Sequence, residues 1–553
     1  MTPVNPPPLE RTSPPQRTDA WRQPAAGISE GVRVRVLRAV HGDQRAAAEL
    51  LPRLTERQLT GTDPLPTASA ELAPALLRER RAEIRALPDD TRLLLLLAAA
   101  DQYPVSTDAF LRAVVAARLD TRCLDAAEAA GIAHAGAGGV AFRDAWTRIA
   151  AYETGTPADR RDVHRLLARV LRGEGETPSR SWHRGAGALG PSGRLAAELS
   201  AAAGTAADTG RLSVARTLAE RAAALCPDPA EQHRLTARAA AYAWRSGDSD
   251  RARRLASTAA DDALSGVLAL RTGNATEAFD ALLTGVGAAA PTASDRGALP
   301  SAPPVTHLLA RATEAAIYTG DLRRLREAAR VAGRLGVVAP GTLGGLVAAF
   351  DGRYADARDL LKAAAGRCGP GGDPTVLIHA AIAALLLGDH TRAATATVRA
   401  AASARARGTP VTVPQAMEFR AYADFWTGRP RAGEAAATDA LWQAHATGQD
   451  NGACHLQAAL AMFAALTGDA DVCRERAATA RSYALARGLG LPAALAQWAL
   501  AFLDLSSGRF AAAAARLRAL AGFGPGHGHR AIRHLATPHY VEAAVRTGDT
   551  RVA

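Results

Sequence analysis

Histidines supply the first candidate chemistry in this chain. The stretch GHGHRAIRHLATPHY carries His527, His529, His534 and His539. Zinc needs ligand atoms converging at about 2.0–2.1 Å, usually with carboxylate or cysteine help. His527 and His529 fall in a Gly/Pro loop, while His534 and His539 follow on the next predicted helix at i, i+5, off a single face. With no H-E-x-x-H present, the cluster predicts no metal site. The five cysteines (Cys123, Cys226, Cys368, Cys454, Cys473) are dispersed without a C-x-x-C pair. They predict neither a disulfide framework nor a zinc site. A phosphate-cradling G-x-x-x-x-G-K-[ST] loop is absent. Lys362, the only lysine, sits in a helical LLKAAAG context. The Gly-rich GRCGPGGDP at 366–374 follows no strand and reads as an inter-helix loop. No G-x-S-x-G nucleophile elbow occurs. Trp182-His183 reads as the start of a helix and as packing. The expectation is a protein with no catalytic residue, no cofactor and no metal, and not an enzyme. What remains is binding: Trp426, Trp442 and Trp498 are spaced like core residues but are candidates for a ligand or partner groove on a helical array.

Helices must position these residues. Apolar residues make up 48% of 553 but aromatic ones only 5%, with Ala and Leu dominant. That mixture favours helix and leaves few strand signals. The formal net charge is +12. The basic residues are nearly all arginine, interleaved with Asp and Glu as in DSDRARRLAS, which reads as solvated helix surface rather than a DNA footprint. The longest apolar run, LLLLLAAA at 93–100, is far short of the ~20 residues a membrane span needs. A soluble bacterial cytoplasmic protein is expected.

A 40-residue repeat organises the C-terminal half. Glycines recur at 388, 428, 468, 508 and 548. Three residues before each stands an apolar residue (Leu385, Phe425, Ala465, Leu505, Val545), and five after stands a small one (Ala393, Gly433, Cys473, Ala513, Ala553). The pattern predicts helix–turn–helix hairpins. In each, glycine supplies the φ > 0 residue after the first helix and the small residue lets the second approach. One hairpin cannot bury such stripes, whereas stacked neighbours can. Similar turns occur at RSGDSDRA, RTGNATEA, YTGDLRRL and DGRYADA. The predicted product is an elongated tetratricopeptide-like superhelix whose concave face is a binding surface by geometry.

Between 67 and 172 the pattern differs. Helical stretches precede GIAHAGAGGVAFRDA, whose Gly-rich centre predicts a small hairpin. Helices followed by a hairpin make a winged-helix-like plan, either DNA-reading or a structural joint. The fold class expected is all-α, a winged-helix-like N-terminal segment followed by the repeat superhelix. The order of HGDQRAAAELLPRLTERQLTG, RALPDDTRLLLLLAAAD, GGVAFRDAWTRIAAYETGTPADRRDVHRLLARVL, RSWHRGAGA, RLSVARTLAERAAALCPDPAEQHRLTARAAAYAWRSGDSDRARRL and YVEAAVRTGD resembles the large LuxR-type regulators of actinobacteria. These are signal-transducing ATPases related to the maltose-operon activator. The resemblance covers about residues 32–553. It implies a nucleotide-binding domain, a winged-helix joint, a repeat sensor and a C-terminal DNA-binding domain.

The chain departs from that plan at both ends. It has no phosphate loop, and Asp144-Ala145 stands where the family usually shows His-Pro. It stops five residues past Gly548, which predicts a truncated relative. The expected organisation is a disordered Pro-rich tail at 1–28, a helical ATPase remnant at 29–66 and a winged-helix-like domain at 67–172. Helical repeats at 173–290, a linker at 291–304 and tetratricopeptide-like repeats at 305–553 complete it. The expected function is regulatory, with a protein partner or small-molecule effector on the repeat surface, DNA engaged only indirectly or weakly, and no membrane. The alternative is a DNA-binding regulator using the winged-helix-like segment.

Overall fold

The computed structural model describes residues 28–136, 139–289, 305–367, 372–522, 528–549 and 551. The predicted tail up to residue 27, the linker at 291–304 and His527 lie outside these residues.

Ten helices and one hairpin build the N-terminal body. They are α1 (Glu30–Ala39), α2 (Gln44–Leu50), α3 (Glu56–Leu59), α4 (Ser69–Leu72), α5 (Pro74–Arg85), α6 (Asp89–Asp101), α7 (Ala109–Ala117), α8 (Asp125–Ala129), α9 (Ala145–Thr154) and α10 (Pro157–Val170). The run Leu94–Ala100 in α6 is buried throughout. A helix apolar on every face belongs at the centre of a layer, and α6 packs on α7, α9 and α10. Between α8 and α9, β1 (Ala133–Gly136) pairs antiparallel with β2 (Gly139–Phe142), Ala133 opposite Phe142. This is the predicted order of helices followed by a small hairpin. One apolar core runs from Val32 to Leu171, so α1–α3 share it with the helices that follow.

The rest of the described chain is helical. After α11 (Thr177–Ala186), hairpins form from α12 (Gly193–Asp208) and α13 (Leu212–Leu225), α14 (Pro229–Arg245) and α15 (Ser249–Ala259), and α16 (Asp262–Thr272) and α17 (Ala275–Ala288). The second array pairs α18 (Val305–Thr319) with α19 (Leu322–Arg334), α20 (Gly341–Phe350) with α21 (Tyr354–Ala365), and α22 (Pro374–Leu386) with α23 (His390–Ala406). It continues with α24 (Thr412–Trp426) and α25 (Pro430–Ala446), α26 (Asp450–Thr467) and α27 (Ala470–Ala486), α28 (Gly490–Ser506) and α29 (Phe510–Ala519), and α30 (Arg530–Thr547). Trp182-His183 lies inside α11 rather than at its start, because the helix begins at Thr177 with Pro178 in its first turn.

The turn glycines behave as their spacing predicts. Gly388, Gly428, Gly468, Gly508 and Gly548 have φ of 75°, 68°, 85°, 74° and 75°. A second column, Gly408, Gly448 and Gly488, is also left-handed and joins one hairpin to the next. The RTGNATEA turn differs: Gly273 has φ −129°, and Asn274 caps α17 by accepting from the Thr276 amide. The small column is buried at Ala393, Cys473 and Ala513. At Gly433 an added Cβ would lie 2.5 Å from Phe463 Cζ, so the close helix approach is real there.

The superhelix is not an open trough. Its turns bring α16 against α26, α18 against α28 and α22 against α30. The concave face, expected as a binding surface, is thus partly covered by helices of the same chain. The first hairpins supply helices that fill the concavity of the later ones, since a wall carrying this much apolar surface gains by covering it. No helix among the described residues is long and apolar enough to cross a membrane.

Candidate functional site

The filled interior holds a cluster of charged and polar side chains. Helical spacing lines them up: Arg311, Glu314 and Tyr318 on α18; Gln415, Glu418 and Tyr422 on α24; Asn451 and His455 on α26. Steps of three and four residues put each set on one face. Gln415 and His455 also occupy one repeat column, each thirteen residues before its turn glycine. Arg271, at the end of α16, enters from the opposite array.

Glu314, Glu418, Gln449, Asn451 and His455 are fully buried, and Arg271 is 2% exposed. Arg271 pairs with Glu418 and lies 3.4 Å from Glu314. Its Nη1 donates to the Tyr318 hydroxyl at 3.2 Å and its Nε to Gln449 Oε1 at 3.0 Å. Tyr318 donates to Glu418. Gln415 Nε2 donates to Glu314 at 2.6 Å, and Arg311 donates to the same carboxylate at 2.9 Å. His455 Nδ1 is 3.1 Å from Glu418. A carboxylate only accepts, so this nitrogen carries the hydrogen, and in the neutral ring Nε2 accepts from the Tyr422 hydroxyl at 2.8 Å. Asn451 Nδ2 reaches the carbonyls of Leu270 and Gly273, both at 2.9 Å.

Electrostatics follow the contacts. Burial pushes the Glu418 carboxyl up, but Arg271 and His455 outweigh it and hold it at about 2. Burial alone would lower Arg271, yet Glu418, Tyr318 and Glu314 raise it. Burial and the Glu418 charge push Tyr318 and Tyr422 well above a free phenol. Two guanidinium groups therefore face two carboxylates in a dry setting. Taking each ion out of water costs several kcal/mol, so such a cluster specifies an arrangement more than it stabilises one.

Of the three tryptophans, the structure brings two together. Trp426 and Trp498 lie 6.0 Å apart with Phe425 and Phe502 around them. His539 of α30 completes this aromatic cluster: its Nδ1 accepts from Trp498 Nε1 at 3.2 Å, and its ring stacks on Trp426. Beside them, Tyr422, Phe425, Phe463 and Trp498 line a void of about 10 Å³, at or below the size of one water. Trp442 stands apart on α25, 56% exposed, and has no ring contact among the described residues. The three tryptophans therefore form no common groove.

The described histidines of the C-terminal cluster point to different elements. His529 Nε2 donates to Ile317 O of α18 at 2.7 Å, and its Nδ1 caps α30 by accepting from the Ile532 amide at 3.2 Å. His534 reaches Leu386 O of α22, and His539 reaches α28. They tether α30 and do not converge; among the described residues no group of histidine, cysteine and carboxylate side chains is set to hold a metal.

Arg271, Glu314, Glu418 and His455 were not singled out from the sequence. The readable signal was a charge inside an apolar helix stripe, as in VPQAMEFRAYADFW around Glu418. What the sequence did not reveal was the partner on a helix from the other array.

No family model matches this chain, and no curated protein matches it. Among solved structures it is similar to a signal transduction ATPase with numerous domains, carrying a tetratricopeptide repeat sensor, from Pyrococcus horikoshii. That match has 12% identity, covers 94% of this chain and 70% of that one, and has a TM-score of 0.33. It is also similar to a Rap protein complexed with competence and sporulation factor, at 12% identity over 86% of this chain and 99% of that one, with a TM-score of 0.20. Both likenesses are too loose to carry an argument about function.

Proposed function

We propose that this chain is a regulatory protein related to the LuxR-type regulators, with a helical-repeat sensor or interaction scaffold that binds a protein or a small effector, and that it is not an enzyme. One observation carries the reading. The buried carboxylates Glu314 and Glu418 of the second array are held by Arg271 of the first, so the two arrays are closed on each other. A scaffold of this kind signals by changing which of its faces is covered. The rival reading, DNA recognition by the winged-helix-like segment, meets an obstacle in α8. The helix before the hairpin carries Asp125 and Glu128, and carboxylates there would face phosphates.

The test uses the purified full chain. Partners captured by crosslinking are reconstituted pairwise with the chain, and the protected amides are mapped by hydrogen exchange. A stoichiometric complex with protection confined to 173–549 supports the reading. Multiple turnover by the chain alone on any substrate class overturns it, and a sequence-selective, salt-sensitive DNA shift moves the assignment to the rival.

A further inference from the structure

The N-terminal body and the repeats meet at a second built site, which adjoins the interior cluster through Gln449. Two turns, one from each array, face one another there: residues 246–250, joining α14 to α15 within a hairpin, and 446–450, joining one hairpin to the next between α25 and α26. The turns touch closely. An added Cβ on Gly247 would lie 2.9 Å from the Thr447 side chain, and one on Gly448 would collide with Ser249. Each turn ends a helix whose last carbonyls carry partial negative charge, and each starts the next helix with a carboxylate, Asp250 or Asp450.

Two arginines of α1 fill this site. Arg38 donates to Gly247 O at 2.7 Å and to Ala446 O at 2.8 Å, closing two helix C-termini at once. Arg35 lies 3.2 Å from both Asp250 and Asp450. Gly31 permits the approach, since a Cβ there would come within 2.8 Å of the Asp450 carboxylate. Around the pair, Arg253 and Arg487 reach toward backbone carbonyls at 60–62, and Asp250 accepts from the Leu65 amide at 2.9 Å.

Two features mark this as an exchangeable contact. The apolar cores are separate: that of α16–α30 contains no residue from the N-terminal body, so at this face the bodies are joined by charges and backbone polar groups. The fit of Arg35 is also incomplete. It is 4% exposed, and while its Nε lies 3.2 Å from Asp250 without a well-directed hydrogen bond, its Nη2 has no hydrogen-bond partner at all. Interfaces of this polar kind are those that open, and buried unused donors favour an occupant with better geometry.

We propose that the facing turns form a docking site for two arginines one helical turn apart, held in cis by Arg35 and Arg38, and that a partner helix carrying Arg-x-x-Arg displaces α1 and frees the N-terminal body. The inference deepens the binding reading above and rests on it.

The probe is a fluorescent peptide of residues 28–42, titrated by anisotropy into the full chain. It should bind the R35E/R38E chain, whose α1 is repelled from the two carboxylates, at least tenfold more tightly than wild type. Adding Asp450→Asn should remove that gain, as should changing the two arginines of the peptide to alanine. Equal binding to both chains, or binding that survives loss of Asp450, overturns the site. If the charge-reversed chain does not fold, the wild-type chain decides: excess peptide should speed hydrogen exchange in α1 and at residues 61–65, and unchanged exchange overturns the proposal. A partner that binds R35E/R38E and wild type equally overturns this site and leaves the binding reading standing.

Discussion

Arg271 neutralises carboxylates that solvent does not reach, and removing it leaves them without compensation. Arg271→Met should therefore destabilise the chain by about 3–5 kcal/mol, read from the urea midpoint. Pairing it with Glu418→Gln should cost clearly less than the sum of the single changes, because the two share one interaction. Glu418 also sets a pH limb. Its folded carboxyl titrates at about 2 against an ordinary 4.5. Its contribution is thus complete above about pH 4.5 and declines as the pH falls toward 2. A urea-midpoint series across that window should slope less in Glu418→Gln than in wild type; identical slopes would remove Glu418 from the account.

At the scale of elements, two glycines separate backbone from packing. Gly428 has φ 68° and an added Cβ meets nothing within 4 Å. Gly428→Ala should cost about 1 kcal/mol through the left-handed backbone alone. Gly433 has no such backbone constraint, but its Cβ would press on Phe463. Gly433→Ala should cost about 1–3 kcal/mol by overpacking, and in hydrogen exchange the loss should centre on α24–α26. Should Gly428→Ala prove the costlier of the two, the reading of both positions fails. The hairpins were legible for this reason: a turn that needs positive φ, and a contact that needs a missing side chain, both write themselves into residue type at a fixed period. The Gly408, Gly448 and Gly488 column was just as periodic and went unread. The RTGNATEA turn joins two helices as its sequence predicts, but its asparagine cap works without a left-handed glycine.

Five buried histidines spread across the described chain have pKa values pushed down by burial. Burial, the main cause at each site, lowers His164, His379, His529 and His539 to about 4 and His183 to about 3. The geometry agrees at His529 and His539, whose Nδ1 atoms accept hydrogen bonds and would lose them on protonation. Each group titrates below its unfolded value near 6.5. Its contribution is therefore present above pH 6.5 and is lost as the pH falls toward 4, at up to about 1.4 kcal/mol per pH unit. Unfolding at pH 5 should take up about four protons, measured as the pH dependence of the unfolding free energy. Uptake of one proton or none would mean that these side chains are not buried together in the folded chain.

The sequence by itself determined the helical class, the hairpin repeat, its left-handed turns and the helix–hairpin order before residue 145. Each depends on neighbours within about 40 residues, and local propensity and periodicity report on that range. Tertiary structure alone decided that the concavity is filled, that Trp426 and Trp498 join His539 while Trp442 stays outside, and that Arg271 meets Glu418. It also decided that Arg35 and Arg38 lie between two turns, one from each array. The arginine partners are separated by more than a hundred residues, and even Trp498 and His539 by 41. Small differences in the rotation between hairpins, summed along the superhelix, decide whether they meet, and no single hairpin encodes that sum.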